Sequence, residues 1–375
     1  MGVNSTKNKR IYPDILLLLL TILLTAIGLL VIYSAANVSE TMRKITVQSI
    51  AALIGIAFLA AFYFIDYRIY KVYSSHIYIL SIVVLIFVLI FGSGKEETGA
   101  NSWIRFFGIG IQPSELVKIA FSVFFANKLS GIKESGRLND LKELLKLTAY
   151  FLGITVLVIM QNDTGTALVF TFMFATMLFV AGIPIKYILW AFLILAIALP
   201  VFWFLLATYQ KNRILVFLNP SLDPNGAGYQ VLQSRIAIGS GELFGRGFMQ
   251  GPRNRLSLIP EKDTDFIFGV IGEEFGFLGS VIVCTLLFLL IFKIFTIAKH
   301  ATDLSARLIC VGIGSMFLFH VSENICMSLG LLPVTGIPLP FLSYGGSSLV
   351  TSLLAIGIVL NINKISKEIC FNKSD

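Results

Sequence analysis

The sequence predicts an all-α polytopic membrane protein with about ten transmembrane helices and one large extracytoplasmic loop. Hydrophobic residues make up 56% of its 375 residues and charged residues only 13%, which is more apolar than a soluble core of this size requires. Apolar runs of about 20 residues recur along the chain, and this length crosses the hydrocarbon core of a bilayer. In lipid such segments must be helical, because a helix satisfies its own backbone hydrogen bonds.

Ten apolar segments are assigned as spans within a single domain, residues 1–375, since no linker or composition shift divides the chain. We expect the first to be a retained anchor, because no small-residue cleavage site clearly follows it. The polar stretch between the seventh and eighth, at about 208–264, is the large loop. The spans are residues 14–33, 46–65, 76–92, 112–129, 145–161, 164–182, 186–207, 265–298, 305–330 and 345–363.

Lysine and arginine residues are distributed unevenly over this topology. With the N-terminus inside, seventeen of the 29 lie on the cytoplasmic side, and only five lie elsewhere outside the large loop. The positive-inside rule therefore predicts that both termini are cytoplasmic and that the large loop faces outward. Because the net charge of +8 is mostly this topology signal, no nucleic-acid partner is expected.

Cysteine and histidine residues predict neither a disulfide framework nor a zinc site. The four cysteines are scattered without ligand spacing. The three histidines, His76, His300 and His320, are far apart in sequence. Neither a disulfide framework nor a zinc site is therefore expected.

The loop 93–111 carries an aromatic residue beside a cation. Trp103 and Arg105 lie two residues apart, so in an extended segment they share a face. An aromatic platform next to a guanidinium would suit a sugar diphosphate. A tryptophan at this depth is equally well explained as an interface anchor.

Charged residues also occur near the starts of the fourth and sixth predicted spans. Pro113 fits the first turn of a helix, and Glu115 and Lys118 are three residues apart, so they can pair on one face. Intramembrane charges are costly and are candidates for function. Lys118 could either complete a structural ion pair or face a cavity and hold an anionic head group there. Asp163 could either cap the sixth span or line the same outer cavity as Lys118.

The large loop is too long to be structureless. Residues 229–238 read as an amphipathic helix on the outer leaflet, and the glycines after it, around Arg246, indicate tight turns. Such a glycine-rich backbone could cradle an anion or simply form a loop.

Carboxylates gather where the loop meets the eighth span. Thr264 is a candidate N-cap. The Asp265 carboxylate could either be stabilised by the helix dipole as part of the cap or take part in the reaction. Glu273 and Glu274 lie deeper in the span, so at least one must face protein or water. Farther on, prolines and a glycine pair in residues 332–348, which include Ser343, predict an irregular segment that is either a structural turn or a cavity wall.

Four groups of residues, ordered along the chain, resemble the shape, elongation, division and sporulation (SEDS) proteins. The resemblance runs from the first span to the last. Two further motifs, at 336–340 and 248–251, look more like the elongation member, RodA, than the division member, FtsW. The four groups are Gln112-Pro113-Ser114-Glu115-Leu116-Val117-Lys118, Gly239-Ser240-Gly241 with Gly245-Arg246-Gly247, Thr264-Asp265-Phe266-Ile267-Phe268 with Gly272-Glu273-Glu274, and Pro338-Leu339-Pro340-Phe341 with Ser343-Tyr344-Gly345-Gly346-Ser347.

The resemblance implies a peptidoglycan glycosyltransferase that polymerises lipid II during cell-wall elongation and cell-shape maintenance. It places the protein in the bacterial cytoplasmic membrane with a class B penicillin-binding protein and the elongation machinery as partners. The family's essential aspartate maps onto Asp265, whereas the residue two before it, commonly His in the family, is Asp263 here. Residues expected to bind substrate are Gln112, Glu115, Lys118, Trp103, Arg105, Asp163, Arg246 and Ser343.

The implied mechanism is inverting, with Asp265 as the general base toward an acceptor 4-hydroxyl. Partial burial and the neighbouring Asp263 would both raise the pKa of Asp265 toward the operating pH. The leaving diphosphate requires cationic stabilisation, for which Lys118, Arg105 and Arg246 are candidates. A divalent cation, Mg²⁺ or Mn²⁺, held by Asp263 and Asp265 is a further candidate.

Three other functions fit parts of the pattern. A lipid II flippase would also need many spans and intramembrane charge, but no inverted repeat is visible. A non-catalytic scaffold for cell-wall synthases would tolerate substitution of Asp265 and Lys118. An FtsW-like, division-specific polymerase would share the chemistry and differ in its partners.

Overall fold

The part of the chain that the structure describes is almost entirely helical. The computed structural model describes residues 13–36, 40–94, 100–106, 109–187, 189–190, 193, 197, 204, 208–224 and 226–372. One short antiparallel hairpin is the only sheet within these ranges. The all-α prediction is therefore confirmed.

The elements follow the order that the hydropathy pattern predicts. Before the large loop come α1 (Ile15–Ala35), α2 (Thr41–Phe64), α3 (Tyr67–Val72), α4 (Ser74–Phe91), strands β1 (Ile104–Phe106) and β2 (Ile109–Ile111), α5 (Pro113–Glu134), α6 (Leu141–Met160) and α7 (Thr164–Ala181). The loop contains α8 (Thr208–Leu218), a 3₁₀ turn (Pro220–Leu222), α9 (Ala227–Ser240) and α10 (Pro252–Arg255). The chain ends with α11 (Ile267–His300), α12 (Leu304–Ser328) and α13 (Gly346–Asn372).

Eight helices in the described ranges are long and apolar enough to cross a membrane: α1, α2, α4, α6, α7, α11, α12 and α13. The fourth predicted span corresponds to α5, which has 22 residues but is more charged than the others. The seventh predicted span, 186–207, lies largely outside the described residues. The multi-pass architecture is thus confirmed, while the count of ten spans stays a prediction.

Helices α12 and α13 form the centre of the bundle. The apolar stretches of these two helices are 72% and 83% buried, against 22% for α2 and α4. Helix α13 packs along α2, and α12 packs against α5, α7 and α11. The polar side chains of α12 are therefore held inside protein, where each needs a partner.

The glycine-rich loop completes a break in α11. Gly276 has φ 67° inside this helix, which interrupts the backbone hydrogen bonds there. The amides of Arg246 and Gly247 donate to the freed carbonyls of Glu273 and Glu274, at 2.9 and 3.0 Å. Residues 277 and 278 in turn donate to the carbonyls of residues 242 and 243. These loop amides therefore serve the helix and are not available to cradle an anion.

The two glutamates of α11 hold the large loop against the bundle. The Glu273 carboxylate accepts from the backbone amides of Arg253 and Asn254 at 2.8 and 3.0 Å. These bonds satisfy N–H groups that have no partner within the first turn of α10. The Glu274 carboxylate accepts from the Ser34 hydroxyl at 2.6 Å and from the side-chain Nδ2 of Asn254 at 2.7 Å. Both glutamates face protein, as their intramembrane position requires.

Candidate active site

The segment that carries Asp265 is fixed by backbone contacts to α12 and to the irregular stretch before α13. The Asn324 side chain donates to the Asp265 carbonyl and to the Ile337 carbonyl, each at 2.8 Å. The Ser343 hydroxyl donates to the Thr264 carbonyl at 2.6 Å. The predicted Thr264 cap is wrong, because α11 begins at Ile267 without a side-chain cap and the Thr264 hydroxyl bonds within its own turn. The bonds from α12 and Ser343 position the segment instead.

Asp265 is partly buried and has a raised pKa. Loss of solvation, with the negative charges of Glu261 and Asp263, raises the pKa of Asp265 to about 7, against the opposing charge of Arg213. Gly336, with φ 77°, brings its backbone beside the carboxylate, so that a Cβ there would lie 3.4 Å from Oδ2. A carboxylate with this pKa can act as a general base near neutral pH.

Asp263 is engaged by a lysine from α2. The Lys44 Nζ lies 2.6 Å from the Asp263 Oδ2 and 3.0 Å from the Glu40 Oε2. The Asp263 backbone carbonyl accepts from the Tyr344 amide at 2.7 Å. Asp263 is thus part of a pairing network that ties the segment to α2.

The residues expected to bind a divalent cation, Asp263 and Asp265, do not form a suitable ligand set. The Asp263 carboxylate is already neutralised by Lys44. Within the described ranges, no three His, Cys, Asp or Glu residues lie together in an arrangement that could hold a metal ion.

Lys118 belongs to a buried cluster between α5 and α12. Its Nζ lies 2.7 Å from the Glu115 Oε1 and 2.8 Å from the His320 Nε2. The other ring nitrogen of His320 lies 3.2 Å from the Pro338 carbonyl. The predicted pairing of Glu115 with Lys118 is confirmed, and the cluster reaches the same irregular stretch that flanks Asp265.

Gln112 and Asp163 form a second polar contact, at the start of α5 and α7. The Gln112 Nε2 donates to the Asp163 Oδ2 at 2.8 Å. The Asp163 Oδ1 accepts from the Thr166 amide at 3.0 Å, so the predicted cap is confirmed. The backbone amide of Gln112 donates to the Ser347 hydroxyl at 3.1 Å, which connects this pair to the start of α13.

The remaining predicted binding residues lie outside the helices. Trp103 is half-buried and packs over Gly110 on the neighbouring strand. Arg105 is exposed on β1. Arg246 is exposed and pairs with Glu242 at 3.4 Å on its own loop. Ser343 contacts the residue before Asp265, and the binding roles of all four residues stay predictions.

Comparison with known proteins decides the family. The family model for FtsW, RodA and SpoVE, described as cell cycle protein, matches residues 14–368. A probable peptidoglycan glycosyltransferase FtsW from Trichlorobacter lovleyi is 36% identical over 357 residues, covering 93% of each chain. The chain belongs to the SEDS family. Peptidoglycan glycosyltransferase RodA from Treponema pallidum is 34% identical over 425 residues, covering 93% of this chain and 97% of the relative.

The fold agrees with this SEDS assignment. A solved chain from "Structural coordination of polymerization and crosslinking by a peptidoglycan synthase complex" superposes with a TM-score of 0.82 at 28% identity, covering 95% of this chain and 99% of that one. Relatives named FtsW and RodA match over similar lengths at similar identity. The RodA-like assignment within the SEDS family therefore stays a prediction.

Sequence reasoning missed three residues of this SEDS site. The sequence treats His320 only as one of three scattered histidines, and Lys44 enters only the count of lysine and arginine residues. Glu323, which is buried in α12, was not singled out at all. The principle that an ionisable residue inside a span is a functional candidate would have identified both Glu323 and His320.

Proposed function

We propose that this peptidoglycan glycosyltransferase of the SEDS family polymerises lipid II with Asp265 as its general base. The observation that carries the assignment is a carboxylate whose pKa is raised to about 7, in a segment held by Asn324 and Ser343. Efficient proton abstraction requires a base that is ionised near the operating pH and is rigidly placed. Asp265 meets both requirements.

In the proposed reaction, the acceptor 4-hydroxyl gives its proton to the Asp265 carboxylate while its oxygen attacks the anomeric carbon of a second lipid-linked sugar. The bond from that carbon to undecaprenyl diphosphate breaks, and the electron pair leaves with the diphosphate. Attack and departure on opposite faces invert the configuration at the anomeric carbon. One base is sufficient for this chemistry.

The leaving diphosphate requires a cation close to the reacting carbon. Arg213 on α8 is near enough to lower the pKa of Asp265. Lys118 is 1% exposed and already paired, so it would act through the cluster with His320 rather than as a free surface charge. We therefore favour Arg213 as the diphosphate contact, with Lys118 supporting the site.

The cellular setting follows from topology and relatives. We propose that both termini are cytoplasmic, that loop 208–264 faces outward at the bacterial cytoplasmic membrane, and that a class B penicillin-binding protein is the partner. The likeness to a chain of a peptidoglycan synthase complex supports a partner of this kind. The motifs at 336–340 and 248–251 favour a RodA-like role in elongation.

Strand synthesis from labelled lipid II by the purified full chain tests this function, with and without a class B penicillin-binding protein. We expect long glycan strands from the wild type and none from Asp265→Asn. Glu134→Gln, which changes an exposed carboxylate at the end of α5, is the matched control and should keep full activity. Full synthesis by a correctly inserted Asp265→Asn protein would refute the assignment, and lipid II translocation without synthesis would favour a flippase.

A further inference from the structure

Glu323 is a buried carboxylate that the fold does not use. It lies in the last turns of α12 and is 3% exposed. Neither of its carboxylate oxygens has a hydrogen-bond partner among the described residues. A buried carboxylate in this condition is costly, so its presence requires an explanation outside the fold.

The surroundings of Glu323 are those of the candidate base. The charged groups that face it are Asp265 and Arg213, and Thr335 lies beside it. The next residue, Asn324, donates to the Asp265 carbonyl. His320, which is three residues earlier and therefore on the same face of α12, contacts Lys118. Glu323 therefore shares a helix face with the Lys118 cluster and lies within range of the charge of Asp265.

Packing does not account for the residue. Within the described ranges, Glu323 forms no ion pair, and the Thr335 hydroxyl is the one hydrogen-bonding side chain beside it. The Thr335 hydroxyl has a single proton to donate and does not reach good hydrogen-bond geometry, so at least one carboxylate oxygen of Glu323 lacks a donor. An apolar side chain of similar size would avoid this desolvation cost.

The charge and hydrogen-bonding capacity of the Glu323 carboxylate indicate which kind of ligand group would pair with it. A carboxylate accepts hydrogen bonds and repels anions, so the diphosphate cannot be its ligand. The described residues offer no third ligand that would complete a metal site with the two carboxylates. A sugar hydroxyl or an acetamido N–H donates a hydrogen bond and carries no charge, and the proposed substrate supplies both.

We propose that Glu323 binds the acceptor sugar by accepting a hydrogen bond from a hydroxyl or acetamido N–H next to the hydroxyl that Asp265 deprotonates. This inference rests on the proposed function. It assigns the acceptor to the side of the site formed by α12 and leaves the cationic side, with Arg213, to the donor diphosphate. Glu323 is therefore a specificity-determining residue of the acceptor subsite.

The test measures the acceptor KM separately from the donor. A labelled lipid II that lacks the 4-hydroxyl can donate but cannot accept, and its incorporation is followed while ordinary lipid II is varied as the acceptor. For Glu323→Gln and Glu323→Val we expect the acceptor KM to rise roughly tenfold or more, as for loss of a hydrogen bond to a charged group. The kcat should change much less, because the bond also exists in the ground state.

Thermal unfolding of the same proteins excludes a merely structural role. Glu323→Val should unfold at the same temperature as the wild type or higher, since it removes an unsatisfied buried carboxylate, and Glu323→Asp should recover part of the acceptor affinity. An unchanged acceptor KM in both Gln and Val variants would overturn the inference. A lower unfolding temperature with a loss confined to kcat would also overturn it. Failure of the proposed function is distinct, because it would appear as strand synthesis by Asp265→Asn.

Discussion

Lys44 and Asp263 form an ion pair, with 2.6 Å between Nζ and Oδ2, two residues before the candidate base. The Asp263 side chain is 6% exposed and that of Lys44 is 23% exposed. The pair joins the start of α2 to the loop that carries Asp265. The SEDS resemblance implies a histidine at position 263, and a partner from α2 explains how an aspartate is accommodated there. Asp263 therefore connects the segment that carries Asp265 to α2.

Removing one member of this pair should loosen the segment. We expect Lys44→Met to lower the free energy of unfolding by about 1–3 kcal/mol, because the Asp263 carboxylate is then buried without its partner. Strand synthesis should fall with it, since Asp265 loses its fixed position. Thermal unfolding in detergent and strand yield from lipid II measure the two effects.

The double variant Lys44→Met with Asp263→Asn provides the control. It leaves no unpaired charge, so its unfolding temperature should return most of the way to that of the wild type. An additive loss in the double variant would show that the two residues act independently, contrary to the pairing seen in the structure.

The buried pair of Glu115 and Lys118 should be more sensitive than the pair at Asp263. Both side chains are 5% exposed or less, and breaking such a pair typically costs about 3–5 kcal/mol. We therefore expect Lys118→Met to unfold at a clearly lower temperature. Exchange of both residues, Glu115→Leu with Lys118→Met, should restore the unfolding temperature.

Activity of that double variant separates the two roles of Lys118. If the cluster with His320 supports the site electrostatically, the double variant should be stable and still make few or no strands. Full strand synthesis by the stable double variant would reduce the pair to a packing element.

The break in α11 should depend on glycine at position 276. This residue has φ 67°, and a Cβ there would collide with the backbone of residues 243 and 245. We expect Gly276→Ala to cost at least about 1–2 kcal/mol of stability, because its φ of 67° and ψ of −163° form a backbone conformation that essentially only glycine adopts. Gly131→Ala in α5 is the matched control, because a Cβ there meets nothing within 4 Å. Equal unfolding temperatures for both variants would contradict the strained break.

The parts of the fold that follow from composition and spacing were predictable. Apolar length gave the helices, and the three-residue spacing of Glu115 and Lys118 gave their pair. The proximity of Lys44 to Asp263 was not predictable in the same way, because it joins residues more than 200 positions apart through tertiary packing. The glycines after α9 were recognised as turns, but their role at the break in α11 depends on the φ of Gly276, which a sequence pattern does not show.

The candidate base was placed by resemblance, and its environment was only partly foreseen. Burial and Asp263 were expected to raise the pKa of Asp265, and both contribute. Glu261 contributes more than Asp263, and Arg213 opposes them. Both Glu261 and Arg213 belong to the large loop, whose folding against α11 could not be derived from local pattern alone.

The pH dependence of kcat/KM for strand synthesis tests the central claim, that Asp265 acts as a base with a pKa of about 7, most directly. The active form is the ionised carboxylate, so the rate should rise with pH through about 7 and fall about tenfold per pH unit well below it. A wild-type rate that stays flat down to about pH 5 would contradict the account, because it would indicate a base with the ordinary pKa of an exposed aspartate.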